Sequence, residues 1–255
     1  MINLELPENI EQIRQMSRQL ALQALRPISR KYDLLEQKET PEELYALQEE
    51  LESSMSGAAE PTRSGSSGGN RNGANMTAAT FNEQMCWGDL GLTSSLPMMG
   101  LGNDAIEAVA TEEQKAHWGE LYAAMAITEP GCGSDSAAIK TTAMLDGDEW
   151  VINGEKIFVT DGYRCKQVVV WASLDTSRGK SAIKSFLVPK GTPGMSITRI
   201  SHKLGIRAND HAQFLFDNCR VPKGNILGDP NVARTAEERK KAFGGVMQTF
   251  DNTRP

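Results

Sequence analysis

The hydrophobic pattern changes period once along this chain, and that change constrains the fold more than any other feature. Up to about Leu121, apolar residues recur at three- and four-residue steps, the spacing of helix faces. Ile10, Ile13, Met16, Leu20 and Ala24 form one such stripe over residues 8–26, and Pro27 is expected to end it. Thr40-Pro41-Glu42-Glu43 has the composition of a capping box, followed by the stripe Leu44, Leu47 and Leu51. Helical patterning resumes over 80–87 and 104–109. Thr111-Glu112-Glu113-Gln114 then has the form of a cap leading into a short helix through Trp118.

Beyond Leu121 the runs shorten. Strands are expected over 141–145, 150–152, 156–160, 168–173, 185–188, 195–200 and 213–216. Turn residues punctuate them: Asp146-Gly147-Asp148, Asn153-Gly154, Asp161-Gly162, Pro189-Lys190-Gly191 and Pro193-Gly194. Asn153-Gly154 between two such runs predicts a hairpin turn. From about Thr235 a helical pattern returns, with Ala242, Val246 and Phe250 on one side. The expected class is α+β, with an N-terminal helical domain over 1–121 and an antiparallel β-barrel-like middle domain over 122–232. The start of a truncated C-terminal helical domain is expected over 233–255. The Gly/Ser-rich tract at 53–75 is expected to be a mobile connector that takes no part in a site.

Composition excludes several functions. Of 255 residues, 39% are hydrophobic and 24% charged, which suits a globular chain. The net charge of −6 and the lack of a basic stripe argue against nucleic-acid binding. No apolar run reaches the length of a membrane span, and Met1–Glu8 has neither the basic start nor the apolar core of a secretory signal. The expected location is cytoplasmic, or the mitochondrial matrix in a eukaryote. Cys86, Cys132, Cys165 and Cys219 lie far apart, and His117, His202 and His211 show no ligand spacing, so no metal site is expected.

The segment with most chemistry is Thr128-Glu129-Pro130-Gly131-Cys132-Gly133-Ser134-Asp135. Glycines let backbone N–H groups approach an anion, and the Ser134 hydroxyl adds a donor. The loop neither sits in a βαβ pattern nor ends in Gly-Lys-Ser/Thr, so Rossmann and Walker readings fail. Taken with Ile139-Lys140-Thr141-Thr142-Ala143 and the run from Asp146 through Asn153-Gly154-Glu155-Lys156-Ile157-Phe158-Val159-Thr160, it resembles the signature stretch of the acyl-CoA dehydrogenase family. Thr111-Glu112-Glu113-Gln114-Lys115, Phe186–Pro189, Lys203-Leu204-Gly205-Ile206-Arg207 and Arg220-Val221-Pro222 resemble further elements of that family, in order. The likeness is dense from about Gly100 to Gly228 and thinner before Thr80.

The resemblance implies FAD as cofactor and an acyl-CoA as substrate. By it, Met125, Ala126, Ile127, Thr128, Gly133 and Ser134 would run along the flavin to its phosphates, with Ser134 also near the acyl-CoA. Phe158, Val159 and Thr160 match the family's Trp-Ile-Thr, in which the ring covers the flavin and the threonine faces N5. Phe158 keeps a stacking face and lacks the indole N–H. Asp251, Asn252, Thr253 and Arg254 match an Asp-x-x-Arg element that contacts acyl-CoA. Lys203, Arg207 and Asp210 are read as structural.

The family reaction removes an α-proton from the thioester while a hydride leaves the β-carbon, and its base is a glutamate. Most members carry that residue beyond the point matched by Pro255. A minority carry it at the position of Thr253, whose hydroxyl is no base at neutral pH. No catalytic base is assigned, and the chain without the family's C-terminal bundle is expected to be inactive. The resemblance also implies an electron-transfer flavoprotein as electron acceptor and a homo- or hetero-oligomer. An acyl-CoA oxidase and a non-catalytic flavin- or acyl-CoA-binding partner subunit are the alternative readings.

Overall fold

The computed structural model describes residues 6–36, 39–55, 73–97 and 100–232. The expected helix from Thr235, the Asp251–Arg254 element and most of the 53–75 connector lie outside the described residues. The described chain divides into two compact units. His202–Asn209 groups with the described residues up to Pro97, whereas the described residues from Gly100 to Ser201 group with those from Asp210 onward.

The first unit is helical: α1 (Glu8–Leu20), α2 (Arg26–Leu35), α3 (Glu42–Met55) and α4 (Ala74–Thr93). Pro27 does not end the first helical run. A single wide π turn over Ala21–Leu25 precedes it, and Pro27 then sits in the first turn of α2, where its missing N–H costs nothing. Glu43 does not reach back as a capping partner either. Its carboxylate accepts from the Tyr32 hydroxyl at 2.5 Å and from Lys31 Nζ at 2.8 Å, fastening α3 to α2. A Cβ added at Gly88 would lie 2.8 Å from Ala21 Cβ, so this glycine lets α4 press against the π turn.

The second unit holds α5 (Leu101–Val109), α6 (Glu112–Trp118) and a seven-stranded sheet. The Thr111 cap forms as expected: Thr111 Oγ1 accepts from Gln114 N, and the Gln114 side chain accepts from Thr111 N. The strands are β1 (Ala123–Ala126), β2 (Thr142–Asp146), β3 (Glu149–Thr160), β4 (Gln167–Ser173), β5 (Ile183–Pro189), β6 (Met195–Ile200) and β7 (His211–Pro222). Their order is β1-β4-β2-β3-β7-β6, with β5 also paired to β4. The fold is thus helices followed by a curled sheet, as the change of period implies. The sheet is mixed, however, because β1 runs parallel to β4 (Ala123 opposite Gln167, Ala126 opposite Val170). The β2–β3 hairpin lies between them in sequence and supplies the long connection that parallel pairing requires.

Asn153-Gly154 is not the expected hairpin turn. The chain turns instead at Gly147-Asp148, and β3 continues unbroken past residues 152–154, opposite a bulge in β7 between Phe216 and Cys219. Gly154 has φ +149°, and a Cβ there would meet Thr141 Oγ1 at 2.4 Å. Two cores flank the sheet. Val168, Val170, Phe186, Phe214 and Phe216 fill one side, while Val169, Trp171 and Leu187 pack with Ala105 and Ile106 of α5 on the other. Strand β4 is buried on both faces, which explains its unbroken apolar sequence. No described helix is long and apolar enough to cross a membrane.

Candidate functional site

The strand β1 delivers the chain into the Ile127–Asp135 loop, and a pair of backbone hydrogen bonds closes that loop's tip. Glu129 N donates to Cys132 O at 3.0 Å and Cys132 N donates to Glu129 O at 3.1 Å. Gly131 at the tip and Gly133, Ser134 and Asp135 beyond it are exposed, and a Cβ at either glycine would meet nothing within 4 Å. The loop therefore presents open backbone and one hydroxyl, a donor set that suits an anion.

The loop is anchored by a buried ion pair. Lys156 Nζ lies 2.7 Å from Glu129 Oε1, the lysine side chain is 0% exposed and the glutamate 6%. Lys156 Nζ also donates to Ile127 O at 3.1 Å. The Glu129 carboxylate further accepts from Lys140 N (2.7 Å), Thr141 N (3.0 Å) and Thr141 Oγ1 (2.6 Å). Burial pushes the Glu129 carboxyl up, but the Lys156 charge and these hydrogen bonds outweigh it and hold the group below the usual carboxylate range. Neither Lys156 nor the Thr141 contact is assigned a role from sequence. The usable signal was a lysine in phase with Trp150 and Ile152, on the inward side of an alternating strand.

Past Lys156 the β3–β7 register slips between Lys156 and Val159. Phe158 there has φ +57°, unusual for a bulky residue, and costs roughly 1–2 kcal/mol. Strict alternation would place its ring inward beside Lys156; the bulge turns it out, 64% exposed. Ile157 N donates to Thr128 O at 2.9 Å, so the strand end and the loop after β1 are joined backbone to backbone. Val159 is buried in the core with Val168 and Phe186, and Thr160 Oγ1 is 3.3 Å from His211 Nε2 on β7. Of the other expected site residues, Ala126 and Ile127 are buried and Met125 and Thr128 are half-buried.

Immediately after Thr160 a buried network fixes the end of β3. Asp210 takes Tyr163 N on Oδ2 at 2.7 Å, its carbonyl takes Asp161 N at 3.0 Å, and Arg164 Nε lies 3.4 Å from Asp210 Oδ1. Burial, and then the negative charge of Asp161, pushes the Tyr122 hydroxyl well above the usual range. In the first unit, Arg207 Nε donates to Asp33 O and Nη1 to Lys203 O. Burial also pushes Cys165 up to about 12 and Cys219 to about 11, so both remain thiols at neutral pH. Among the described residues no cluster of His, Cys, Asp and Glu could hold a metal ion.

An exposed aromatic ring held at a left-handed backbone position, beside a loop of open backbone and one exposed hydroxyl, suits a flat cofactor that carries phosphates. The structure brings Met125–Thr128, Gly133 and Ser134 to the same end of the sheet as Phe158–Thr160. Asp251, Asn252, Thr253 and Arg254 lie outside the described residues.

The family model for the acyl-CoA dehydrogenase N-terminal domain matches residues 7–126, and that for the acyl-CoA dehydrogenase middle domain matches residues 124–219. The mitochondrial short-chain specific acyl-CoA dehydrogenase of Rattus norvegicus is 42% identical over 117 residues, which are 46% of this chain and 26% of that protein. The butyryl-CoA dehydrogenase of Megasphaera elsdenii shares the fold at a TM-score of 0.75 and 24% identity, covering 98% of this chain and 64% of that one. A glutaryl-CoA dehydrogenase of Mycobacterium smegmatis, solved with FADH2, gives a TM-score of 0.69 at 25% identity over 97% of this chain and 62% of its own. This chain thus spans about a quarter of the curated relative in the matched stretch, and less than two thirds of the solved ones. With two models of one family matched end to end across the helices and the sheet, the chain belongs to the acyl-CoA dehydrogenase family.

Proposed function

We propose that this chain supplies the flavin-holding part of an FAD-dependent acyl-CoA dehydrogenase, which converts an acyl-CoA thioester to the trans-2-enoyl-CoA in fatty-acid or related acyl-CoA degradation. The observation that supports this most is the outward-turned ring of Phe158 joined, through Ile157 and Thr128, to the loop that exposes Gly131, Gly133 and Ser134. When bound, FAD supplies the acceptor for the hydride that leaves the β-carbon.

The chain's own residues bind and orient. Gly133 and Ser134 offer donors to the phosphates. Met125, Ala126, Ile127 and Thr128 flank the ring edge, and Phe158 packs on its face. Val159 positions Thr160, whose hydroxyl is paired with His211. Ser134 and the Asp251, Asn252, Thr253 and Arg254 element would take the acyl-CoA. The α-proton requires a carboxylate, and Thr253 does not provide one. Electrons would pass on to an electron-transfer flavoprotein, and the working protein would be a homo- or hetero-oligomer.

The test is to purify the full chain, add FAD and measure flavin fluorescence quenching. A series of acyl-CoAs is then added without oxygen, and bleaching of the flavin absorbance is followed. Quenching of the flavin is expected, and bleaching by a particular acyl-CoA would identify the substrate class. A chain that leaves FAD fluorescence unchanged would overturn the reading.

A further inference from the structure

We infer that Lys156 is a positioning residue for the cofactor, acting through the Ile127–Thr128 peptide; this rests on the flavin reading above. In a trans peptide the C=O and the following N–H point in opposite directions. Lys156 Nζ, fully buried, holds the Ile127 carbonyl at 3.1 Å. The N–H of Thr128 belongs to the same unit and is therefore turned away from the buried ammonium. The next unit is fixed as well, because Thr128 O accepts Ile157 N. Two successive peptides of the loop are thus locked to β3, just ahead of the residue whose ring turns outward.

Glu129 holds Lys156 in place and balances its charge. Four N–H and O–H donors converge on that one carboxylate, from Lys140, Thr141 (twice) and Lys156, with the Cys132 thiol beside them at 4.0 Å. A buried ion pair adds little net stability over a neutral pair of similar volume, so stability alone is a weak reason for one here. A cation on the Ile127 carbonyl also polarises its peptide and strengthens the Thr128 N–H as a donor. A donor preset in this way counts most where electron density on the acceptor rises, as on a flavin taking up a hydride.

The decisive comparison is wild type against the neutral pair Lys156→Met with Glu129→Gln, both as the full chain. The expected result is a variant with wild-type circular dichroism whose Kd for FAD rises at least tenfold and whose bound-flavin absorption maxima shift. A folded variant that binds FAD with unchanged Kd and spectrum overturns the inference and leaves the flavin reading standing. A wild-type chain that binds no FAD removes both.

Should the variant not fold, amide exchange in the wild type decides. FAD is expected to slow exchange at Thr128 at least tenfold, while Ile157, already bonded to Thr128 O, exchanges slowly with or without it. Equal Thr128 exchange in the two states overturns the assignment.

Discussion

Ile157 and Thr128, 29 positions apart in sequence, share a 2.9 Å backbone hydrogen bond that joins the end of β3 to the loop after β1. Nothing local to either segment requires this contact. It brings the exposed aromatic of one and the open glycine backbone of the other to one end of the sheet, and four expectations test the arrangement.

Phe158 should separate cofactor affinity from stability. Its ring is exposed, so removing it deletes little core, and glycine accepts φ +57° without strain. Phe158→Gly is expected to leave the unfolding midpoint within about 1 kcal/mol of wild type, since relieved strain and added unfolded-state freedom oppose each other. FAD affinity should fall roughly tenfold or more with the loss of an aromatic contact and its area. Urea unfolding of the apo chain and a flavin titration check the two halves. Unchanged affinity would remove Phe158 from the site.

Gly154→Ala should destabilise the sheet by about 1–3 kcal/mol. The new Cβ would fall 2.4 Å from Thr141 Oγ1 and 2.7 Å from Thr141 Cα, at a φ that side chains rarely adopt. The effect is to be read from the denaturant midpoint at constant slope. A neutral result would mean that Thr141 can move without disturbing Glu129.

Asn103→Ala should cost about 2–4 kcal/mol, because one buried side chain serves four backbone groups. Its Nδ2 donates to Gly119 O and Leu121 O, and its Oδ1 accepts from Gly100 N and Ala123 N. Removing it leaves those groups without these partners where α5 meets β1. Thermal unfolding of the variant is the measurement, and a loss below about 0.5 kcal/mol would show that water replaces the amide.

The Glu129 carboxyl sets an acid limit on stability. Its folded pKa lies below its ordinary value of 4.5, so its contribution is complete above that pH and is lost as pH falls through the lower folded value. Glu129→Gln is expected to lower stability at neutral pH and to flatten the decline below about pH 4.5. Denaturant midpoints from pH 7 down to pH 3 test the sign. A variant that declines as steeply as wild type would assign the acid transition to other carboxylates.

The sequence by itself determined the features governed by neighbours along the chain. The order of helices then strands follows from the change of hydrophobic period, and the Thr111–Gln114 cap needs only groups three residues apart. The Thr128–Asp135 motif and the Lys156–Thr160 run identified the family, because spacing along a chain survives whatever the fold does with it. Tertiary structure decided the rest. Pro27 continues a helical run because a π turn at Ala21–Leu25 absorbs the clash, and α4 packs its Gly88 onto that turn. Asn153-Gly154, a turn signal in isolation, stays inside a long strand, opposite a bulge in β7, where Thr141 occupies the space beside Gly154 and Asn153 Oδ1 takes the N–H of Asn218. The phase of Lys156 along its strand marks the inward side, but its partner, the Glu129 carboxylate 27 residues away, is supplied only when the loop after β1 packs against β3. Local preferences amount to about 1 kcal/mol each, and a buried contact between distant segments outweighs them wherever the two disagree.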